Sequence, residues 1–239
     1  MCGRYSETVD PMQLAEVLAI DLCTYQFTPR PVIAPTQTAP VVVRENGQTE
    51  LKPMRWGLIP HWTDDEKIGS KLINARSETA AQKPAFREAW RQRRCLIPAD
   101  GFYEWNHLNH GTGRKQPFHF HLPDHSLFCF AGLWERWQRP PAKQTELFAE
   151  TFKAPPPLLE TFTILTTSPN AAVEPFHDRM PVILEPDAYT RWLDPEPRGF
   201  EDRADRVESL LGLPLNGLGQ FAGLRVPSAL AEKIKRVAG

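Results

Sequence analysis

The residue best suited to covalent chemistry is Cys2, which directly follows the start methionine. Removal of Met1 would leave Cys2 with a primary α-amine beside its thiol, two nucleophiles on adjacent carbon atoms. An α-amine has a pKa near 7.7–8.0, so roughly a tenth or more of it is free base at pH 7 and can attack a carbonyl group. The thiol can then close on the imine to give a thiazolidine, a stable adduct. This pair of groups predicts capture of an aldehyde, although a single cysteine is more often a small buried hydrophobe.

Three further polar residues stand at loops or strand ends beside aromatic residues or proline: Asn74, Glu104 and His177. If they meet at Cys2, the carboxylate could orient the ammonium and shuttle its proton. The amide could fix the geometry, and the imidazole could serve as a general acid or base. Taken singly, each has a simpler interpretation, since a glutamate in an aromatic strand is usually exposed and a loop histidine usually makes a local hydrogen bond. Their convergence is a hypothesis that depends on the fold.

Composition limits the classes of protein that this chain can be. Its 239 residues are 41% hydrophobic and 24% charged, which fits one globular domain with a substantial core. The net charge of −1 gives no overall basic field, so any contact with nucleic acid must come from a local patch. The four cysteines form no CxxC pair, and we find neither a signal peptide nor an apolar run that could span a membrane. We therefore expect a cytoplasmic protein with free thiols.

The order of predicted elements favours an α+β fold dominated by strands. Asp10 predicts the N-cap of a helix that ends near Ile20, with Pro11 at its first position. The Asn46-Gly47 turn predicts a hairpin between two strands. Further strands are expected at 95–105, 115–122, 127–134, 162–168 and 217–226, and further helices at 186–193 and 201–211. We expect a curved, largely antiparallel, barrel-like sheet with peripheral helices.

Two groups of basic side chains have simple structural interpretations. His119 and His121 alternate with apolar residues, which predicts that both histidines face solvent. Four arginines near the end of a predicted helix form the strongest basic cluster, and for most of the four the simplest interpretation is a solvated face whose charges complement the helix C-terminus. This cluster comprises Arg87, Arg91, Arg93 and Arg94. Because no histidines or carboxylates have the spacing of a metal site, we predict no metal and no other cofactor.

Six sequence blocks, taken in order, resemble the SRAP (SOS response-associated peptidase) family of abasic-site-processing proteins. They cover roughly residues 1–185, and as an ordered set they are far more specific than any one block. The blocks are MCGRY from Met1, IAPT from Ile33, WGLIP from Trp56, NARSET from Asn74, PADGFYEW from Pro98 and HDRMPV from His177. The resemblance implies one SRAP domain that binds single-stranded DNA and traps abasic sites covalently. It also implies self-removal of Met1, and it leaves open whether the protein cleaves the strand as a lyase.

The resemblance assigns a role to each matched residue. It implies that Cys2 forms the thiazolidine with the sugar aldehyde and that Glu104 positions the α-amine. Asn74 would hold the cysteine and the opened sugar, and His177 would assist ring opening and proton transfer. The residues implied to contact DNA are Arg4, Arg76 and Arg179 as phosphate clamps, and Pro35, Trp62 and Thr166 along the channel. Aromatic and proline wedges favour single-stranded ends or junctions over intact duplex.

The resemblance is weaker in two places. Where the family usually has an arginine, an aromatic residue and an asparagine, this chain has Arg30-Pro31-Val32, which removes a polar contact. After about Leu193 the resemblance fades. We expect the SRAP domain to span 1–225, with a proline-rich insertion at about 138–160, and a tail to follow at 226–239.

Two other functions remain open on sequence alone. Class II glutamine amidotransferases also begin Met-Cys-Gly, so Cys2 could be the nucleophile of an amidohydrolase, although the blocks at Asn74 and His177 do not suit that family. A single-stranded DNA-binding module with an inert Cys2 is the third interpretation. In the favoured interpretation the partner is single-stranded DNA that contains abasic sites. The protein is then a monomer by default, with no membrane partner, and joins the nucleoid when it binds DNA.

Overall fold

The computed structural model describes residues 2–23, 25–106, 116–140, 158–194 and 222–225. The strands and helices in these ranges are, in chain order, β1 (Tyr5–Glu7), α1 (Pro11–Val17), β2 (Leu22–Cys23), β3 (Arg30–Ile33), β4 (Thr38–Glu45), β5 (Gln48–Trp56), β6 (Asn74–Arg76), α2 (Ser77–Ala80), α3 (Arg87–Gln92), β7 (Arg94–Ala99), β8 (Gly101–Asn106), β9 (Gln116–His121), β10 (Phe128–Gln138), β11 (Leu158–Thr167), β12 (Met180–Pro181), β13 (Ile183–Leu184), α4 (Tyr189–Leu193) and β14 (Ala222–Arg225). Short 3-10 turns span Glu66–Lys71 and Pro186–Ala188. The predicted helix at 201–211, the tail at 226–239 and most of the insertion at 138–160 lie outside the described residues.

Five strands close into a barrel in the order β11-β10-β7-β4-β5. Neighbours around the ring are antiparallel, except that β5 and β11 close it in parallel, with Trp56 opposite Phe162. The Asn46-Gly47 turn joins β4 to β5 as predicted, with the positive φ values of 51° and 81° that such a tight turn requires. The prediction of a barrel-like, largely antiparallel α+β domain is confirmed.

Alternate residues of the barrel strands point inward, and in the middle of the barrel they are apolar. At one mouth, which we call the ionic end, the same inward positions carry the charged residues Glu45, Lys52, Arg136 and Glu160. Lys52 Nζ lies 2.6 Å from Glu45 and 3.6 Å from Glu160. Arg136 reaches the same two carboxylates at 2.7 and 2.9 Å, and its guanidinium lies 4.8 Å from the centre of the Trp134 ring. Charged pairs therefore cover this mouth.

A second sheet, in the order β14-β9-β8-β1-β3, packs across the opposite mouth. Tyr5 of β1 makes edge contacts with Trp56 and Phe130 of the barrel, at centroid distances of 5.3 and 5.7 Å. Phe102 of β8 contacts Phe130 at 6.3 Å. These aromatic contacts hold β1 and β8 against the barrel. We call this mouth the Cys2 end, because Cys2 lies three residues before β1 begins.

His119 and His121 lie on the outer face of the second sheet, and here the structure differs from the prediction. His121 is buried and stacks on His125 at 3.9 Å, and His119 stacks on Tyr103 at 4.5 Å. Burial, followed by the charge of His121, lowers the pKa of His119 to about 4. Gly101 makes room for this ring, since a Cβ there would lie 2.1 Å from His119 Nε2. The prediction that both histidines face solvent is wrong, because alternation separates the two faces of a strand without showing whether either is covered.

The helices lie outside the barrel. Asp10 caps α1 as predicted by accepting a hydrogen bond from Met12 N at 2.8 Å, although the helix ends at Val17 rather than near Ile20.

Arg94 departs from the predicted solvated face: it is buried, and its guanidinium donates to a backbone carbonyl of α4 at 2.7 Å. Within the described ranges, no helix combines the length and apolar character needed to cross a membrane.

Candidate active site

Cys2 is completely buried at the Cys2 end of the barrel. Its backbone carbonyl accepts a hydrogen bond from Asn74 Nδ2 at 2.8 Å, and its Sγ lies 3.8 Å from the carbonyl oxygen of Arg4. Asn74 is the first residue of β6, which pairs in parallel with β11 of the barrel and places Asn74 opposite Ile164. Asn74 therefore ties the amino-terminal segment to the barrel wall.

Glu104 lies on β8 in the same inward register as Phe102, and only 3% of the residue is exposed. Burial raises the pKa of Glu104 to about 7, and the negative charge of Asp178 adds to this shift. Burial is also the main reason that the pKa of the Cys2 thiol is raised far above its usual range, and the charge of Glu104 is the next. The carboxyl group is thus close enough to affect the thiol, and it can exchange a proton near neutral pH.

His177 lies in the loop between β11 and β12, and an aromatic contact places this loop beside β8 and β9. Phe176 packs on Phe118 at a centroid distance of 4.7 Å. Phe118 is the cross-strand partner of Glu104. The segment that carries His177 is therefore adjacent to the strand that carries the buried carboxyl group.

The ring nitrogen Nδ1 of His177 has two neighbours that suit different protonation states. It lies 2.7 Å from Asp178 Oδ1 and 3.0 Å from the backbone nitrogen of Arg179. A protonated Nδ1 can donate to the carboxylate, whereas an unprotonated Nδ1 can accept from the amide. The imidazole can therefore gain or lose this proton without losing a hydrogen-bond partner.

Arg179, predicted as a phosphate clamp, is paired with a residue that the sequence analysis missed. Its guanidinium donates to both carboxylate oxygens of Glu78, at 2.7 and 2.8 Å, and to the carbonyl oxygen of Thr166 at 2.6 Å. The hydrogen bond from Arg179 is the main reason that the pKa of Glu78 is lowered. Glu78 belongs to the NARSET block, but the 101 positions that separate the two residues hide the pair from the sequence.

The other two predicted clamps also lie near the site. Arg76 is exposed at the end of β6, two residues after Asn74. Arg4 is partly buried, which lowers its pKa, and its guanidinium donates to the carbonyl oxygen of Gly3.

The three residues predicted to line a DNA channel differ in exposure. Trp62 is 56% exposed, and Pro35 is partly exposed in the turn after β3. Thr166, by contrast, is fully buried, and its hydroxyl lies 3.5 Å from the carbonyl oxygen of Ala75. Its side chain is therefore covered, whereas its backbone carbonyl accepts the hydrogen bond from Arg179.

Taken together, Cys2, Asn74, Glu104 and the His177 loop form one site at the mouth of the barrel. It combines a protected thiol, an amide that fixes the backbone, and a carboxyl group that titrates near neutrality. Such a set can add nucleophiles to a carbonyl group and move the protons involved. In the part of the chain that the structure describes, no three His, Cys, Asp or Glu side chains are placed to hold a metal ion.

Comparison with known proteins agrees with the resemblance. Among curated relatives, the abasic site processing protein YoqW of Bacillus subtilis is 40% identical over 213 residues, which cover 88% of this chain and 86% of that protein. The abasic site processing protein HMCES of Xenopus tropicalis is 27% identical over 242 residues, which cover 81% of this chain and 66% of that protein.

Solved structures share the fold over nearly the whole chain. An X-ray structure of a Bacteroides thetaiotaomicron protein has a TM-score of 0.77 at 24% identity, and the match covers 97% of this chain and 94% of that one.

The family model of the SOS response associated peptidase (SRAP) matches residues 1–216. The chain therefore belongs to the SRAP family.

Proposed function

We propose that the protein processes abasic sites in DNA by trapping them covalently on Cys2. The observation that carries the proposal is the joint placement of Cys2, Asn74 and Glu104 in one buried site. The relatives named as abasic site processing proteins support the substrate class. The sugar of an abasic site opens to an aldehyde, which is the group that an amine and a thiol on adjacent carbons capture as a ring.

Trapping begins once Met1 has been removed and the α-amine of Cys2 is free. The amine attacks the aldehyde carbon of the opened sugar, and loss of one water gives an imine. The thiol sulfur then adds to the imine carbon while its proton passes to the nitrogen, which closes the thiazolidine ring. The net reaction joins one aldehyde to one aminothiol and releases one water, with no change in oxidation state.

The neighbouring side chains suit these proton transfers. With a pKa raised to about 7 by burial, Glu104 can take a proton from the ammonium and return it to the departing hydroxyl group. Burial keeps the Cys2 thiol protonated, so the thiol itself carries the proton that the ring nitrogen receives. His177 would assist ring opening, since its Nδ1 has a partner in either protonation state.

Binding of the strand would come from the surface around this site. Arg4, Arg76 and Arg179 would hold the phosphates, since arginine offers a planar fork of donors. Pro35 and the exposed ring of Trp62 would meet unpaired bases. The contact would thus be local, which accords with a chain whose net charge is only −1.

We infer that the same site removes Met1. The Cys2 sulfur would attack the Met1 carbonyl carbon and release its own α-amine, and water would then hydrolyse the resulting thioester. The intact mass of the purified protein tests this step: wild type should lack the methionine, and Glu104→Gln should retain it in part.

A β-elimination from the imine, which would make the protein a lyase, should appear as a shortened DNA strand.

The central experiment incubates the protein with single-stranded DNA that carries one abasic site and separates the products on a denaturing gel. We expect a heat-stable, slower band from wild type and none from Cys2→Ala. The matched control is Cys23→Ala, which removes a partly exposed thiol outside the site and should leave the band intact.

Three results would contradict the proposal. A band that survives Cys2→Ala would place the covalent link elsewhere. Binding of the DNA by wild type without any band would instead support a non-covalent DNA-binding module. Release of ammonia from glutamine would point to the amidohydrolase alternative.

A further inference from the structure

The outer face of the second sheet carries a polar network centred on Ser6, the middle residue of β1. Ser6 and Asp100 are both buried. Ser6 Oγ donates a hydrogen bond to Asp100 Oδ1 and lies 2.8 Å from His119 Nε2. Asp100 Oδ2 accepts from the backbone nitrogen of Thr8 at 2.8 Å and from its hydroxyl group. None of these residues has a role in the chemistry proposed above, although Ser6 stands only four positions after Cys2.

The order of the three side chains differs from that of a serine nucleophile. An ionised carboxylate can only accept, so Ser6 gives its one hydroxyl proton to Asp100. Its oxygen then accepts from Nε2 of His119, which is neutral at pH 7 because burial lowers its pKa to about 4. In a serine nucleophile the histidine stands between the serine and the aspartate and takes the hydroxyl proton. Here the serine stands between the other two, so the network fixes the hydroxyl group and does not activate it.

The network connects β1 to the strands on both of its sides. Asp100 directly precedes β8, and His119 lies on β9. The His119 ring stacks on Tyr103 of β8 at a centroid distance of 4.5 Å. The Tyr103 hydroxyl group in turn donates to the carbonyl oxygen of Pro31 in β3 at 2.8 Å. Ser6 is therefore tied to a set of contacts that spans four neighbouring strands.

The backbone pairing of β1 is too short to fix its position firmly. The strand has three residues and pairs with β8 at two positions, and its pairing with β3 is irregular between Tyr5 and Glu7. A slip by one residue would move the chain by about 3.3 Å and turn Tyr5 away from the barrel. Because Cys2 lies only three residues before β1, the same slip would draw it away from Asn74.

We propose that Ser6 is a positioning residue, whose hydroxyl group fixes the register of β1 and thereby holds Cys2 in its site. The inference rests on the proposed function, because it concerns the placement of the nucleophile named there. The contact to be preserved is the hydrogen bond of 2.8 Å from Asn74 Nδ2 to the Cys2 carbonyl oxygen. A reacting group misplaced by about 1 Å can cost about 100-fold in rate. The register should therefore affect the rate of trapping more than the binding of DNA.

The first test needs no DNA and follows the alkylation of each cysteine in the native protein by iodoacetamide, with peptide mass spectrometry. Ser6→Ala should speed the labelling of Cys2 by about 10–100-fold, because loss of the buried hydrogen bonds lets β1 open locally. Cys95 and Cys129, which are also buried, should keep their wild-type rates. Ser6→Thr retains the hydroxyl group and should protect Cys2 almost as well as wild type does.

The second test measures the time course of trapping at saturating concentrations of single-stranded DNA that carries one abasic site. The rate constant of Ser6→Ala should fall by about 10–100-fold, and Ser6→Thr should restore most of it. The DNA concentration that gives half the maximal rate should change less than the rate constant. A purely structural role would reduce the amount of active protein, and so the final amount of product, without changing this rate constant.

Two further variants serve as a control and as a second probe of the network. Ser70→Ala removes another serine hydroxyl group, which donates to the carbonyl oxygen of Lys67 at 2.8 Å in an exposed turn, and should leave both measurements unchanged. Asp100→Asn keeps the shape of the side chain but replaces one acceptor oxygen with a donor. It should change both rates in the same directions as Ser6→Ala.

Three results would overturn the positioning role. Equal acceleration of labelling at Cys2, Cys95 and Cys129 would show a general loss of stability instead. An unchanged labelling rate of Cys2 in Ser6→Ala would show that the network does not hold it, and an unchanged rate constant of trapping would show that the register does not matter to the reaction. Absence of a covalent band from wild type would refute the proposed function, and the labelling pattern would still decide whether Ser6 holds Cys2.

Discussion

The two mouths of the barrel both place glutamates in partly or fully buried positions, but the pKa values of these side chains shift in opposite directions. At the ionic end, burial alone would raise the pKa of Glu45, yet the hydrogen bonds and charges of Lys52 and Arg136 outweigh it and the pKa is lowered. At the Cys2 end, burial prevails and raises the pKa of Glu104 to about 7. The same residue type is therefore held as an anion at one mouth of the barrel and made titratable at the other, where the second sheet supplies it.

A buried carboxyl group thus serves a different purpose at each mouth of the barrel. Pairs such as Arg136 with Glu160 cover the apolar interior while keeping their charges paired, and removal of one partner leaves the other charge uncompensated. A carboxyl group held near neutrality lowers stability when ionised, but it can accept and return protons at physiological pH. Substitutions at the two ends should accordingly affect different measurements.

The largest effect should come from Glu104→Gln. The amide keeps the shape of the side chain but cannot exchange the proton, so the rate of covalent trapping should fall by about 10²–10⁴-fold. Its unfolding midpoint in urea should stay at or above that of wild type, because a buried ionisable group has been removed. A rate within threefold of wild type on a gel time course would refute the role of Glu104.

The pair of Glu78 and Arg179 tests whether the Cys2 end also uses a fixed ion pair for positioning. Arg179→Glu should lower the trapping rate by about 10–100-fold, because two facing carboxylates repel and the His177 loop loses its anchor. The exchanged double variant, Glu78→Arg with Arg179→Glu, should recover at least tenfold of that loss. No recovery, together with weak binding of single-stranded DNA that carries a tetrahydrofuran abasic analogue, which has no aldehyde to trap, would show that Arg179 serves only as a phosphate clamp.

At the ionic end, Glu160→Gln should reduce stability and leave trapping unchanged. The substitution leaves Lys52 and Arg136 with one fewer anionic partner, and we expect a loss of about 1–2 kcal/mol in the free energy of unfolding. Urea denaturation measures this loss, and the gel assay gives the control. A drop in trapping rate without a drop in stability would contradict the division between the two mouths.

The smallest effect should appear in the pH dependence of stability. The native pKa of Glu104, about 7, lies above the usual 4.5, so stability should fall as pH rises from about 4.5 to 7. The full shift corresponds to about 3 kcal/mol, but structural relaxation and entry of water reduce the cost of a buried charge, and we expect about 1 kcal/mol. Thermal melts of Glu104→Gln should show a flatter slope in this window, while Glu7, whose pKa burial raises to about 8, should keep part of it. Identical slopes for both proteins would contradict the raised pKa.

Local signals predicted much of the fold. The hairpin at Asn46-Gly47 and the cap at Asp10 depend on a few adjacent residues, and both were found as expected. What failed depends on packing between distant segments. The burial of His121 comes from a face that other residues cover, and the pairing of Glu78 with Arg179 joins positions 101 residues apart.

The candidate site likewise has features that the sequence could predict and features that depend on contacts between distant segments. The ordered blocks predicted the family, which is confirmed, and the residue types led to the chemistry expected at Cys2, Asn74 and Glu104, which stays a prediction. Neither could reveal that Thr166 faces inward, since one register position on β11 decides this.

The complete burial of the Cys2 thiol has a consequence for how the protein persists in a cell. Peroxides and alkylating agents attack exposed thiolates fastest, and this sulfur is neither exposed nor ionised at neutral pH. Iodoacetamide should therefore label Cys23 well before Cys2. Under the proposed function each molecule reacts once and stays attached to its lesion, so this shielding would preserve the number of molecules that can still react.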